Sequence, residues 1–161
     1  MEEWQLAILL LGLIIAACAA IAAWRSARAT EKTGLAQILM KITDAYSSPE
    51  MLSGMLNLRK WQKEHPEDFA AKFAEMRNDK DEYAKIKNLD EDRRRYSHHF
   101  YKIWLLSDRG LVNKSFIKKV ATREQVDFLL EVIEPLEIEI NPKYDHSTFD
   151  FFRNIYHIQG V

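Results

Sequence analysis

Hydrophobic positions along this chain follow two regimes. From Trp4 to Trp24 they are continuous: WQLAILLLGLIIAACAAIAAW runs for 21 residues without a charge, nine of them Leu or Ile and seven Ala, with a Trp at each end. A helix of that length spans about 30 Å, the thickness of a bilayer's hydrocarbon core. The stretch therefore predicts a transmembrane helix. Beyond Arg25 the apolar positions become periodic at three- and four-residue spacing, as in amphipathic helices.

The periodic part reads as a series of helices. Leu35, Ile38, Leu39 and Ile42 predict a membrane-proximal stalk over 25–46, with Gly34 as either a hinge or a tolerated interior glycine. Ser48-Pro49-Glu50 predicts a helix start carrying Met51, Leu52, Met55, Leu58 and Trp61, and Pro66 ends it and opens another with Phe69, Phe73 and Met76. Residues 77–95 are the most polar part and read as solvated helix ends around a mobile loop, with Asp90-Glu91-Asp92 at a new helix N-terminus. The helix that follows is expected to be central, with Tyr96, Phe100, Ile103 and Trp104 inward and Gly110 at its end. Asn113 predicts a cap for a short helix, and Thr122 with Gln125 a capping box. Pro135 is expected to bend or end that last helix, leaving Leu136–Ile140 as a short extended piece. Ser147 is expected to cap a C-terminal helix with Phe149, Phe152, Ile155 and Tyr156 on one face, ended by Gly160. The whole predicts an all-α fold: one N-terminal transmembrane helix followed by a soluble bundle of about five to six helices.

Charge assigns an orientation. All 23 Lys and Arg follow Trp24, and only Glu2 and Glu3 precede it among the 24 acids. The positive-inside tendency then leaves a short outer N-terminus over 1–3, a span over 4–24, and the stalk and helical domain over 47–161 in the cytoplasm. Trp4, Trp24, Arg25 and Arg28 are the expected interface residues. A cleaved signal peptide would need a basic start, which is missing, and Ile15-Ala16-Ala17-Cys18 fits a lipidation signal except that apolar residues continue to Trp24. Gly12, Ala16, Ala20 and Ala23 offer a small-residue side for close helix packing, against an integral membrane protein or a second copy.

Composition removes several classes of chemistry. Cys18 is the one cysteine, so residues 25–161 have no disulfide, thiolate zinc site or cysteine nucleophile. Those 137 residues carry a charge near +1, which gives no footprint for nucleic acid. There is no phosphate-binding glycine loop and no catalytic spacing, hence no expected cofactor, metal or enzymatic role. His98-His99 are adjacent and point about 100° apart on a helix, so they do not chelate one metal from one face. The acidic runs read as wet surfaces, unsuited to general acid chemistry.

The membrane helix, the Ser48-Pro49-Glu50-Met51 opening, and the run from Arg94 through Tyr96, Phe100 and Ile103 to Arg109-Gly110-Leu111-Val112 resemble an uncharacterised family of small bacterial single-pass membrane proteins with a helical cytosolic domain of unknown function. The resemblance covers about 47–156 and implies a helical domain on one anchor in the bacterial inner membrane. It implies no activity and no catalytic residue.

What remains is interaction. Arg93-Arg94-Arg95 with Lys102 and Arg109 form a basic stripe suited to anionic headgroups or an acidic partner, while local pairing with Asp90 and Asp92 is the plainer reading. Arg94, Arg95, Phe151 and Tyr156 are the candidate partner surface. The expected function is that of a non-catalytic accessory or assembly subunit of a membrane protein complex; a membrane-tethered sensor holding a small ligand is the second reading.

Overall fold

A computed structural model describes residues 3–158, and among them the regular structure is all helical, without strands. The helices are α1 (Glu3–Tyr46), α2 (Pro49–Glu64), α3 (Phe69–Asn78), α4 (Tyr83–Asp108), α5 (Lys114–Val120), α6 (Arg123–Phe128, a π turn at Leu129–Ile133, then Glu134–Ile140) and α7 (Ser147–Tyr156). They divide into two compact units, Met1–Met40 and Lys41–Val161.

The first unit is the apolar part of α1, the one helix among the described residues long and apolar enough to cross a bilayer. Helical geometry runs unbroken through Gly34. Glu2, and with it part of the expected outer N-terminus, lies outside the described residues.

In the second unit local signals act as anticipated. Ser48 Oγ accepts from Met51 N at 3.2 Å with Pro49 in the first helical position, and Asn113 Oδ1 accepts from Phe116 N at 2.9 Å. Thr122 and Gln125 exchange both bonds of a capping box. Gly110 closes α4 with φ +67: its N–H donates to Ser107 O, and Leu111 N to Leu106 O, a Schellman turn that needs the left-handed conformation glycine adopts without strain.

Three expectations are corrected. The loop within the polar run over 77–95 is confined to 79–82: α4 starts at Tyr83, so Asp90 and Asp92 are not at a helix N-terminus but interior to the helix and buried, because arginines meet them there. Leu136–Ile140 is helical. The π turn sends Glu134 N to Leu129 O, five residues back, which widens the helix where Pro135 lacks an N–H and its ring would crowd the preceding turn. Leu136 and Glu137 are both buried, so the apolar–acidic alternation does not separate two faces. Ser147 is the first helical residue rather than the cap; the carboxylate of Asp145 accepts its N–H at 2.9 Å. Gly160 lies outside the described residues, and α7 ends at Tyr156 with His157 left-handed at φ 53.

The core forms around α4, which packs against α2, α3, α5, the π turn of α6, and α7. Tyr96, Phe100 and Ile103 are its buried stripe, and Leu58, Phe73, Phe128, Leu129 and Phe152 from the surrounding helices are fully buried with them. Tyr96 meets Phe128 at 4.9 Å between ring centroids and Phe100 meets Phe152 edge-on at 5.2 Å. Such pairs contribute about 0.5–1.5 kcal/mol each beyond area burial. Trp104, expected inward, is half-buried beside Tyr101 on the rim.

The closest approach of α2 to α4 is at Gly54, where a Cβ would stand 2.8 Å from Cγ and Oδ1 of Asp92. Asp92 is fixed by Asn57 at 3.2 Å and Arg95 at 2.7 Å, so it cannot retreat without losing those bonds. Gly54→Ala is expected to destabilise the domain by about 1–2 kcal/mol net, overpacking outweighing the roughly 1 kcal/mol helix propensity gain. In an Asp92→Ala background the same substitution should be stabilising; chemical denaturation of the four-member cycle measures the reversal.

Candidate functional site

The densest concentration of chemistry lies on α4, where sequence spacing puts Asp90, Arg93, Arg94 and Ser97 three and four residues apart on one side. Asp90 is fully buried. Its Oδ1 accepts from Arg93 Nε at 3.0 Å and Nη2 at 2.8 Å, and its Oδ2 accepts from Arg94 and, at 3.3 Å, from the Tyr83 hydroxyl. Arg77, arriving from α3, places Nε 3.5 Å from Oδ1. Arg93 is itself buried and spends its remaining nitrogen on Glu137 of α6, which also accepts from Ser97 Oγ. One buried ionic chain thus ties α3, α4 and α6.

Two smaller clusters repeat the theme. Asp92 holds Asn57 and Arg95, and Arg95 reaches Glu50 O of α2 at 3.3 Å. Buried Glu134 pairs with Arg153 of α7, which also donates to Asp150 at 3.2 Å; His146 Nδ1 lies 3.8 Å from Glu134.

These carboxylates are arranged for holding helices together. Burial alone would raise the Asp90 carboxyl, but the hydrogen bonds and charges of Arg93 and Arg94 outweigh it and hold it below its usual range. It is an ionised acceptor surrounded by donors. Removing one partner of such a pair leaves an unpaired buried charge, at a cost of about 3–5 kcal/mol.

His99 sits in a different environment. It is buried between Tyr46, 5.4 Å away, and Phe100, and its Nε2 has no hydrogen-bond partner. Burial, with help from the Lys102 charge, pushes its pKa down to about 4, so the ring is neutral at pH 7. Tyr96 beside it is pushed up by burial and by Tyr46, and donates to Met51 O at 3.0 Å. His98 is exposed, and among the described residues no group of three or more His, Cys, Asp or Glu is placed to hold a metal ion.

The residues singled out from sequence distribute as follows. Gly12, Ala16, Ala20 and Ala23 are exposed on α1, as are Trp4, Trp24, Arg25 and Arg28, with the Arg28 guanidinium 4.0 Å from the Trp24 ring. Arg94 and Arg95 are engaged by Asp90 and Asp92. Phe151 is half-buried, edge-on to Phe152 at 5.1 Å, and Tyr156 is half-buried with its hydroxyl on Ala121 O. The acidic run Asp90–Asp92, expected to be wet, is the correction of consequence. Its i to i+3 and i+4 spacing to three arginines was the available signal; Arg77, Glu137 and Arg153 come from other helices and had none.

An open groove of about 450 Å³ lies beside Trp61, His65, Lys72 and Met76. Trp61 Nε1 donates to Phe69 O at 2.9 Å, and His65 packs edge-on to the indole at 4.2 Å. No protein family matches the chain, and no curated protein or solved structure matches it either.

His99 supplies a pH dependence with a definite sign. Its folded pKa of about 4 lies below the unfolded value near 6.5, so the unfolded state takes up the proton first and stability falls as pH drops from about 6.5 towards 4. The loss is on the order of 3 kcal/mol at its fullest. His99→Phe should flatten that window in urea titrations run at successive pH values. Asp90, with its pKa lowered, adds a separate loss on further acidification, which His99→Phe leaves in place.

Proposed function

We propose that the chain is a single-pass protein of the bacterial inner membrane, spanning it with residues 4–24, the N-terminus outside and the helical domain in the cytoplasm. In this reading it is a non-catalytic accessory or assembly subunit of a larger membrane protein complex. It is joined to integral membrane partners, or to a second copy, through the membrane helix, and to further proteins through the domain.

One observation carries the reading. Nine large apolar side chains between Trp4 and Trp24, among them Leu10, Leu13, Ile14 and Ile15, are each more than half exposed, in a stretch without a charge. In water that surface has nothing to cover it; in a bilayer its Leu and Ile favour insertion by about 3–5 kcal/mol together. Arg28 against the Trp24 indole is the pairing expected at the cytoplasmic interface, where an aromatic ring and a cation both find their level. The open space around Gly12 leaves room for a second helix to approach closely.

Resistance to alkaline extraction tests the span, and reporter fusions at either end test the orientation. Gly12→Leu and Ala16→Leu are each expected to leave insertion unchanged and to weaken recovery of stoichiometric partners in mild detergent. Full recovery with both variants reduces the segment to an anchor. The groove beside Trp61 favours the second reading, a tethered sensor or regulator; saturable quenching of Trp61 by a small ligand, abolished by Trp61→Leu, would support it.

A further inference from the structure

The ion pairs of α4 change where the basic surface of the domain lies. Arg93, Arg94 and Arg95 are consumed by Asp90, Asp92 and Glu137. Lys102, Arg109, Lys114, Lys118 and Lys119 are among the cations of the domain that make no ion pair or hydrogen bond through the side chain among the described residues, and Lys118 Nζ stands 5.8 Å from the Tyr156 ring. All five are exposed. Within 101–119 they face a single acid, Asp108, a surplus of four positive charges in a chain whose formal net charge is −1.

Apolar groups accompany them. At 100° per residue, Tyr101, Lys102, Leu105 and Arg109 fall on the half of α4 opposite its buried stripe, and Trp104 stands at the stripe's flank. Tyr101 is exposed and lies 5.3 Å from the half-buried Trp104; after the Schellman turn, Leu111 is 54% exposed. Trp, Tyr and Leu interleaved with Lys and Arg are the composition of surfaces that rest at the headgroup level, where indole and phenol rings bury their apolar bodies and cations meet lipid phosphate.

We infer that the outer half of α4 from Tyr101 onward, with Leu111 and the lysines of α5, docks on an anionic bilayer surface. The inference rests on the membrane-spanning reading of α1, because a covalent tether keeps a bilayer within reach at high effective concentration. Charge complementarity selects the occupant. Each basic side chain near an anionic surface strengthens its binding about fivefold, so five exposed cations without a carboxylate partner favour such a surface strongly, and added salt screens them.

The test uses the full chain with Cys18→Ala and a spin label at Leu111→Cys, in lipid nanodiscs of phosphatidylcholine alone or containing phosphatidylglycerol. In anionic discs the label should become severalfold less accessible to a water-soluble nickel chelate and more accessible to oxygen. It should stay water-exposed in neutral discs and in a Lys118→Glu/Lys119→Glu variant. A label at Leu56→Cys, an exposed apolar position on α2, should not respond. Retention of the chain in carbonate-washed vesicles reads the spanning helix separately. A retained chain whose Leu111 label stays in water in anionic discs overturns the docking alone, and leaves these cations to an acidic protein. Equal responses at Leu56 and Leu111 overturn it too, and a chain lost from the vesicles overturns the reading on which it rests.

Discussion

A guanidinium buried in a helical domain has to be surrounded by acceptors, and Arg93 sets this constraint for the second unit. Its nitrogens reach Asp90 on its own helix and Glu137 on α6, while Asp90 draws in Arg94, Tyr83 and Arg77. None of these charges is tolerable in the interior alone, since stripping water from an isolated ion costs far more than the whole stability of a domain. Together they satisfy one another, and the condition is geometric: α3, α4 and α6 must sit where the pairs close. The aromatic stripe one turn further along α4 inherits that placement, so Tyr96 and Phe100 meet Phe128 and Phe152.

The same constraint governs what the domain offers to its surroundings. Arg93, neutralised inside, is withdrawn from the surface, Arg94 and Arg95 are engaged by buried carboxylates at its edge, and a group of exposed cations without ion pairs follows at Lys102, Arg109 and the lysines of α5. There it lies beside aromatic and aliphatic groups that the core has no room for. The interior ion pairs fix the register of the helices. The cations around Lys102 and α5 and the apolar side chains of α1 are both exposed.

Local chemistry was legible from the residues themselves. Ser48, Asn113 and Thr122 cap helices because a short polar side chain reaches backbone N–H groups two or three residues on, and Gly110 ends α4 because a left-handed residue is needed there. Where expectation and fold part, the missing information is distant in sequence. Asp90 and Asp92 looked solvated because composition around them is polar, yet Asn57 and Glu137, respectively 35 and 47 positions from Asp92 and Asp90, help make their burial possible. Glu137 made 136–140 resemble an alternating strand, and only the arrival of Arg93 explains an acid turned inward on a helix.

By itself, then, the sequence determined the helical class, the helix ends marked by Ser48, Gly110, Asn113 and Thr122, and a 21-residue apolar stretch long enough for a bilayer, since each depends on spacing and hydropathy within a few turns. The tertiary structure alone decided which charges are interior and which are left over. The spacing of Asp90 and Asp92 to Arg93, Arg94 and Arg95 encodes the pairing, but the burial of those pairs depends on distant residues, Asn57 of α2 and Glu137 of α6, closing on α4.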